Sequence, residues 1–205
     1  ISMKKPTFVF DLGNVIAYYK PDEYLKRFGL EGERAAEFKR ATFNDPVWLD
    51  CDAGLVTREE EIEIMCSKHP ELEADIRRII GGCNEMLQPI PESIRALKRL
   101  TMDGYDCYFL SNTTASAMEY MNGFDYMGMF KGGVESYAVK LSKPDHAIFR
   151  LFAERFQVEP GECVFIDDNY NNIAAARECG FRAYQLEDVD GLYTLTRNIV
   201  RGEID

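Results

Sequence analysis

The chain lacks any apolar stretch approaching the roughly 18 to 20 residues that span a bilayer. Its six cysteines, at positions 51, 66, 83, 107, 163 and 179, include no CxxC pair and no short-spaced zinc pattern. Positive charge is scarce: 24 lysines and arginines stand against 35 aspartates and glutamates, a formal net charge of −11. The basic residues are scattered, whereas nucleic acid and anionic membranes are held by clustered Lys and Arg. Neither is an expected partner. There is no internal repeat, no low-complexity segment and no secretory signal, and Ile1-Ser2, ahead of Met3, carry no weight. Cys107 and Cys163 sit in apolar runs as small buried hydrophobes, and a reducing cytoplasmic location is expected. Neither histidine, His69 or His146, has a partner pattern, so both are expected on helix surfaces.

What is present is a series of short apolar runs that end in polar clusters. Strand-like runs fall at Thr7–Asp11, Cys107–Leu110, Val134–Tyr137, Val164–Asp167 and Ala183–Leu186. Between the first and the rest lies a long helical stretch. Thr57 and Glu60 make a capping box in it, and Pro70 opens a helix with Ile76, Ile79 and Ile80 on one face, ended by Gly81-Gly82. After Pro91 an amphipathic helix points Ile94, Leu97, Leu100 and Met102 inward and closes at Gly104. Further helices begin near Thr114, Asp145 and Asn171. Strands alternating with such helices predict an α/β fold, a Rossmann-like doubly wound parallel sheet. The core is discontinuous, residues 3–16 plus 89–205, with residues 17–88 inserted as a helical unit. Open sheets of this kind bind ligands at the carboxyl ends of their strands.

Four polar clusters fall at those ends. Asp11 closes Phe8-Val9-Phe10 and leads into Leu12-Gly13-Asn14, which by itself is ordinary turn chemistry. As a functional group it is a carboxylate nucleophile for phosphorus, with Gly13 allowing close approach of the backbone. Ser111-Asn112-Thr113 can simply cap a helix; the same loop can also hold phosphate oxygens. Lys143 can be a solvated side chain before Pro144, or the positive charge that an acidic protein needs beside a phosphate. Asp167-Asp168 ends Val164-Phe165-Ile166; paired carboxylates there are either solvated or hold a cation, for which Mg²⁺ is suited.

Together and in this order, the four clusters resemble the motifs of the haloacid dehalogenase superfamily, in the subgroup with a helical cap inserted after the first motif. Phe10-Asp11-Leu12-Gly13-Asn14-Val15, Leu110-Ser111-Asn112-Thr113 and Phe165-Ile166-Asp167-Asp168-Asn169 are most similar to its bacterial sugar-phosphate phosphatases. The resemblance implies a Mg²⁺-dependent phosphatase acting on a small phosphorylated metabolite. It makes Asp11 the nucleophile and a metal ligand, with the Gly13 carbonyl and Asp168 as the other protein ligands and Asp167 behind them. Ser111 and Asn112 bind the transferring phosphate, and Lys143 bridges phosphate and nucleophile.

One position departs from the superfamily pattern. Most of its phosphatases carry an acid two residues after the nucleophile, where this chain has Gly13. A positioned proton donor contributes about 10²- to 10⁴-fold in rate. Three alternatives follow: a substrate with an easier leaving group, a replacement acid such as Asp50 or Asp52, or slow turnover in a regulatory, phosphate-binding protein. True dehalogenases place an aromatic-containing pattern after the nucleophile, which Gly13-Asn14 does not match. Tyr18, Tyr19, Trp48 and Asp52 are candidates for substrate contact, with packing between cap and core as the other reading.

Overall fold

The run at the amino end forms β1 (Thr7–Phe10), the central strand of a five-stranded parallel sheet. Its partners are β2 (Cys107–Ser111), β3 (Gly133–Glu135), β4 (Cys163–Asp167) and β5 (Arg182–Gln185), in the order β3-β2-β1-β4-β5. The computed structural model describes residues 5–204; Ile1, Ser2 and the extreme ends of the expected core lie outside the described residues. Phe10 pairs with Phe109 on one side and Ile166 on the other, so β1, β2 and β4 end side by side. The chain leaves β1 toward β2 and later returns to its other side with β4. This reversal is where open α/β sheets form their binding crevice.

Strand alternation feeds two apolar layers. Phe8, Phe10, Cys107, Phe109, Val164 and Ile166 point into one; Val9, Leu110, Cys163 and Phe165 point into the other. Burying each large side chain is worth about 1.5–3 kcal/mol, and Phe8, Phe10 and Phe165 are fully buried. The first stretch of helices comprises α1 (Pro21–Lys26), α2 (Gly32–Ala41), α3 (Pro46–Asp52), α4 (Arg58–Lys68), α5 (Glu73–Gly81) and α6 (Pro91–Met102). Later come α7 (Ala115–Met121), α8 (Ser136–Val139), α9 (His146–Phe156), α10 (Tyr170–Glu178) and α11 (Leu192–Arg201). Helices α6 and α11 pack in the layer of Phe8, and α9 and α10 in the layer of Val9. None of the described helices is long and apolar enough to cross a membrane.

Several local expectations are corrected. Met102 is 75% exposed, because the buried stripe of α6 runs through Ser93, Ala96, Leu97 and Leu100 and the helix ends at Met102. The third strand stops at Glu135, and Ser136 and Tyr137 turn into α8. Pro70 begins a short 3₁₀ turn, Pro70–Leu72, and α5 itself starts at Glu73. The Thr57–Glu60 capping box is present, with both reciprocal hydrogen bonds, at 2.8 and 3.2 Å.

The helices α1 to α5 are entered and left through two adjacent strands of chain. Tyr18 N donates to Gln88 O at 2.9 Å, and Ile90 N donates to Ile16 O at 2.9 Å. Both passages therefore lie next to the carboxyl end of β1, and α1 to α5 begin and end beside Asp11.

Candidate active site

Asp11 follows β1, Ser111 ends β2, and Asp167 ends β4, so parallel register alone brings three of the four clusters to one edge. The fourth comes from the loop before α9. Lys143, with its side chain only 1% exposed, places Nζ 2.9 Å from Asp11 Oδ1 and 2.6 Å from Asp167 Oδ2. Burial disfavours the charged amine, but Asp11 and Asp167 outweigh it and raise the pKa of Lys143. Lys143 therefore remains a cation in a buried place.

Asp167 is committed on every side. Its Oδ2 also accepts from Asn172 Nδ2 at 3.0 Å, and its Oδ1 accepts from the Asn169 N–H at 2.8 Å. Asp168 is less tightly held; Asn14 Nδ2 reaches its Oδ2 at 3.5 Å. Asn14 adopts a left-handed backbone, φ 55°, which asparagine tolerates, and its Oδ1 accepts from Tyr19 N at 2.9 Å. It ties the turn after Asp11 both to Asp168 and to the start of the helical stretch.

One carboxylate oxygen from each of Asp11, Asp167 and Asp168 can be chosen so that all lie within 4.8 Å of one another. Burial first, with Asp167 and Asp168 adding, pushes Asp11 up to about 7 despite Lys143. Burial and then Asp167 also raise Asp168. Three carboxylates beside one lysine leave net negative charge in a poorly solvated place, and a cation relieves it. The donors are all oxygen, which fits a hard ion of the Mg²⁺ kind and not zinc. Because both Asp167 oxygens are engaged by Lys143, Asn172 and Asn169, Asp11 and Asp168 are the carboxylates with more oxygen left for such an ion.

The loop after β2 is braced by its own side chains. Asn112 Nδ2 donates to Lys143 O at 2.9 Å and its Oδ1 accepts from Lys143 N at 2.8 Å. Its side chain thus fixes the lysine loop and does not reach out alone. Thr113 N donates to Ser136 Oγ at 2.9 Å. Ser111, 2% exposed, makes only a long 3.4 Å contact through its hydroxyl, to Asn112 O.

A cavity of about 340 Å³ opens here, lined from the sheet edge by Asp11, Gly13, Ser111, Asn112, Lys143 and Asp168, with Asp167 and Ser136 behind that lining. The helical stretch supplies the opposing wall, including Tyr19, Trp48, Asp52 and Arg58. Of the four candidates for substrate contact, Tyr19, Trp48 and Asp52 are there. Tyr18 instead donates from its hydroxyl to Asp190 at 3.0 Å. His69 contacts Glu71, and His146 lies 2.7 Å from Glu178, both away from the cavity. Asn14, Asn172, Ser136 and Arg58 are site residues that the strand-end pattern did not single out. The asparagine-rich run Asn169 to Asn172 was the available signal for one of them.

The fold and site define a class: parallel-sheet α/β proteins in which one strand-end carboxylate, a buried lysine and an acidic pair converge on a cavity. The chain belongs to the haloacid dehalogenase-like hydrolase family, whose sequence model matches residues 6–180. A D-ribitol-5-phosphate phosphatase of Bacteroides thetaiotaomicron is 24% identical, covering 88% of this chain and 91% of that protein. An (S)-2-haloacid dehalogenase of Pseudomonas putida is 28% identical over 74% of this chain and 70% of that protein. Among crystal structures, a family enzyme from Bacteroides thetaiotaomicron in complex with magnesium and inorganic phosphate superposes with a TM-score of 0.72. It is 23% identical, covering 89% of this chain and 94% of the other.

Proposed function

We propose that this chain is a Mg²⁺-dependent phosphatase that hydrolyses a small phosphorylated metabolite, a sugar or polyol phosphate, through an aspartyl-phosphate on Asp11. The observation that carries this reading is the buried Asp11–Lys143–Asp167 chain beside Asp168. It provides a carboxylate nucleophile, a fixed cation beside it and a carboxylate pair for a metal whose charge would favour the ionised nucleophile, which is what a phosphate dianion requires. The magnesium and phosphate in the structural relative and the D-ribitol-5-phosphate activity of the sequence relative support it. A cavity of about 340 Å³ lined by Trp48 and Tyr19 suits a ligand of sugar size.

In this reading Asp11, Asp168 and the Gly13 carbonyl hold the metal, which supplies positive charge against the phosphate when bound. Asp11 attacks phosphorus through one carboxylate oxygen, and the other is left for the metal. Lys143, aimed by Asp167, holds a phosphate oxygen and favours the ionised form of Asp11 against burial. Ser111 and Asn112 hold the other side of the phosphoryl group. Residues 17–88 act as a cap over a core of residues 3–16 and 89–205, with hinges at 15–20 and 82–90. The cap closes over the sugar and keeps water out.

The test is phosphate release from sugar, acyl and aryl phosphates, with Mg²⁺ or with chelator, for wild type and Asp11→Asn. Metal-dependent release that is lost in the variant is expected. A folded protein that binds Mg²⁺ and releases phosphate from none of them would instead be a phosphate-binding regulator.

A further inference from the structure

The reaction leaves one proton unassigned. When Asp11 attacks, the oxygen that departs from phosphorus lies opposite it, directed from the sheet edge toward the wall made by the helical stretch. An alkoxide released there needs a proton, and the position two residues beyond Asp11 is Gly13, which has no side chain to give one. The opposing wall contains one carboxyl group, Asp52 at the end of α3. Asp50, two residues earlier, is exposed and does not line the cavity.

Resting on the phosphatase reading, we infer that Asp52 is the proton donor to the leaving oxygen, held over the phosphate site by Ser136. Ser136 Oγ donates to the Asp52 carbonyl at 2.5 Å and accepts from Thr113 N, the residue after the phosphate-binding pair, at 2.9 Å. A single hydroxyl thus joins the acid's backbone to the loop after β2. Lys140 Nζ adds a 2.8 Å bond to Gly54 O, two residues on. Gly54 itself, at φ +69°, sits so close to Tyr137 that a Cβ would lie 2.2 Å from the Tyr137 carbonyl. Three contacts from Ser136, Tyr137 and Lys140, in and just after α8, therefore fix where Asp52 stands.

The surroundings of Asp52 suit a donor. Tyr19 bridges the two places: its Cβ lies 3.7 Å from where a Cβ on Gly13 would be, and the charge of Asp52 raises the pKa of its hydroxyl after burial has done so. Burial pushes the Asp52 carboxyl up to about 7, with Arg58 opposing. The charged and titratable groups facing it are Arg58 and Glu61 of α4, Cys51 of its own helix, Cys83 and Tyr19. Arg58 is paired to Glu61 and lies over the Trp48 ring, 4.5 Å from its centroid. Its charge is thereby shared, and a large share of Asp52 is protonated near neutral pH.

The step balances. Asp11 forms a bond to phosphorus, the bond from phosphorus to the leaving oxygen breaks, and the Asp52 proton passes to that oxygen. Asp52, now a carboxylate, accepts a proton from the water that attacks the aspartyl-phosphate. The bond between phosphorus and Asp11 then breaks, and both residues are restored.

The experiment compares alkyl phosphates, whose leaving groups need the proton, with p-nitrophenyl phosphate, whose leaving group does not. Asp52→Asn in the full chain with Mg²⁺ is expected to lose about 10²- to 10⁴-fold in kcat/KM on the alkyl esters. On the aryl ester kcat/KM, which reports only formation of the aspartyl-phosphate, falls by less than about tenfold, and this also reports that the protein is folded. Asp50→Asn leaves both classes at the wild-type level. Asp52→Glu, which keeps a proton on a longer arm, recovers part of the alkyl activity and serves if Asp52→Asn does not fold. Equal losses on both ester classes, or undiminished alkyl turnover in Asp52→Asn, would overturn the assignment and leave the phosphatase reading standing. No phosphate release by wild type from either class would remove the reading on which it rests.

Discussion

Asn112 and Lys143 hold each other by two hydrogen bonds, the amide of one donating to and accepting from the main chain of the other at 2.9 and 2.8 Å. The side chain of a residue that the family resemblance places at the phosphate is therefore the brace that aims the lysine. Asn112→Ala leaves a buried N–H and a carbonyl of Lys143 without partners. An unsatisfied buried group costs about 1–3 kcal/mol. A loss of that size in urea unfolding, with a fall in kcat, is expected; an unchanged unfolding midpoint would show that the brace contributes nothing.

Lys143 compensates two carboxylates, Asp11 and Asp167, in a place with almost no solvent. Removing one partner of a buried ionic group costs about 3–5 kcal/mol, because the remaining charge stays unpaired. Lys143→Met, unfolded in urea with chelator present, should lose about that much and should have no measurable turnover. A variant as stable as wild type would mean that Asp11 and Asp167 are neutral there without help.

Glu61 is buried in α4 beside Arg58, and burial pushes its carboxyl from 4.5 up to about 7, with Arg58 opposing and Asp52 adding. The folded state then holds a proton that the unfolded chain has already released. Stability is full below about 4.5 and falls as the pH rises toward about 7. Subtracting the unfolding midpoints of Glu61→Gln from those of wild type across this range isolates the Glu61 contribution. A downward slope in wild type that is shallower in the variant is expected; parallel curves would remove Glu61 as its source.

Gly54 is the backbone contact between the end of α3 and α8. An alanine there takes a left-handed φ of +69° and places a carbon 2.2 Å from the Tyr137 carbonyl. Such strain costs about 1–3 kcal/mol. Gly54→Ala is expected to lower the thermal midpoint and to raise KM, since the two walls of the cavity no longer meet in the same register. Wild-type values for both would show that this contact is free to adjust.

Gly13 is the converse case. Its φ lies outside the left-handed range, and a Cβ would meet only Tyr19 Cβ at 3.7 Å, an ordinary contact. Gly13→Asp can therefore place a carboxyl beside the leaving oxygen from the sheet side. Faster turnover of alkyl phosphates than wild type is expected, measured as kcat on a sugar phosphate. Unchanged or lower activity in a folded variant would show that the added group does not reach.

The sheet was legible because β1, β2 and β4 are short apolar runs with no competing period, and Asp11, Ser111 and Asp167-Asp168 follow them directly. The strand assignment past Glu135 failed because Ser136 and Tyr137 continue the run from Val134 but fall in α8, whose capture depends on Ser136 meeting Asp52 and Thr113. The face of α6 was misplaced by its last residue, Met102, since periodicity does not know where the partner helix α11 ends its cover. Helices α1, α2 and α3 were not separated at all: Pro21 and Pro46 mark two starts, but their buried faces are set by packing against residues far along the chain.

By itself the sequence determined which chemistry is available and at which strand ends it stands, because a strand's end and its side-chain alternation are local properties. It could not determine that Asn112 braces Lys143, that both Asp167 oxygens are engaged, or that Asp52 and not Asp50 lines the cavity. Those follow from contacts between residues 24 to 84 positions apart. Only the tertiary structure brings such groups within hydrogen-bond distance and removes the water that would otherwise separate them.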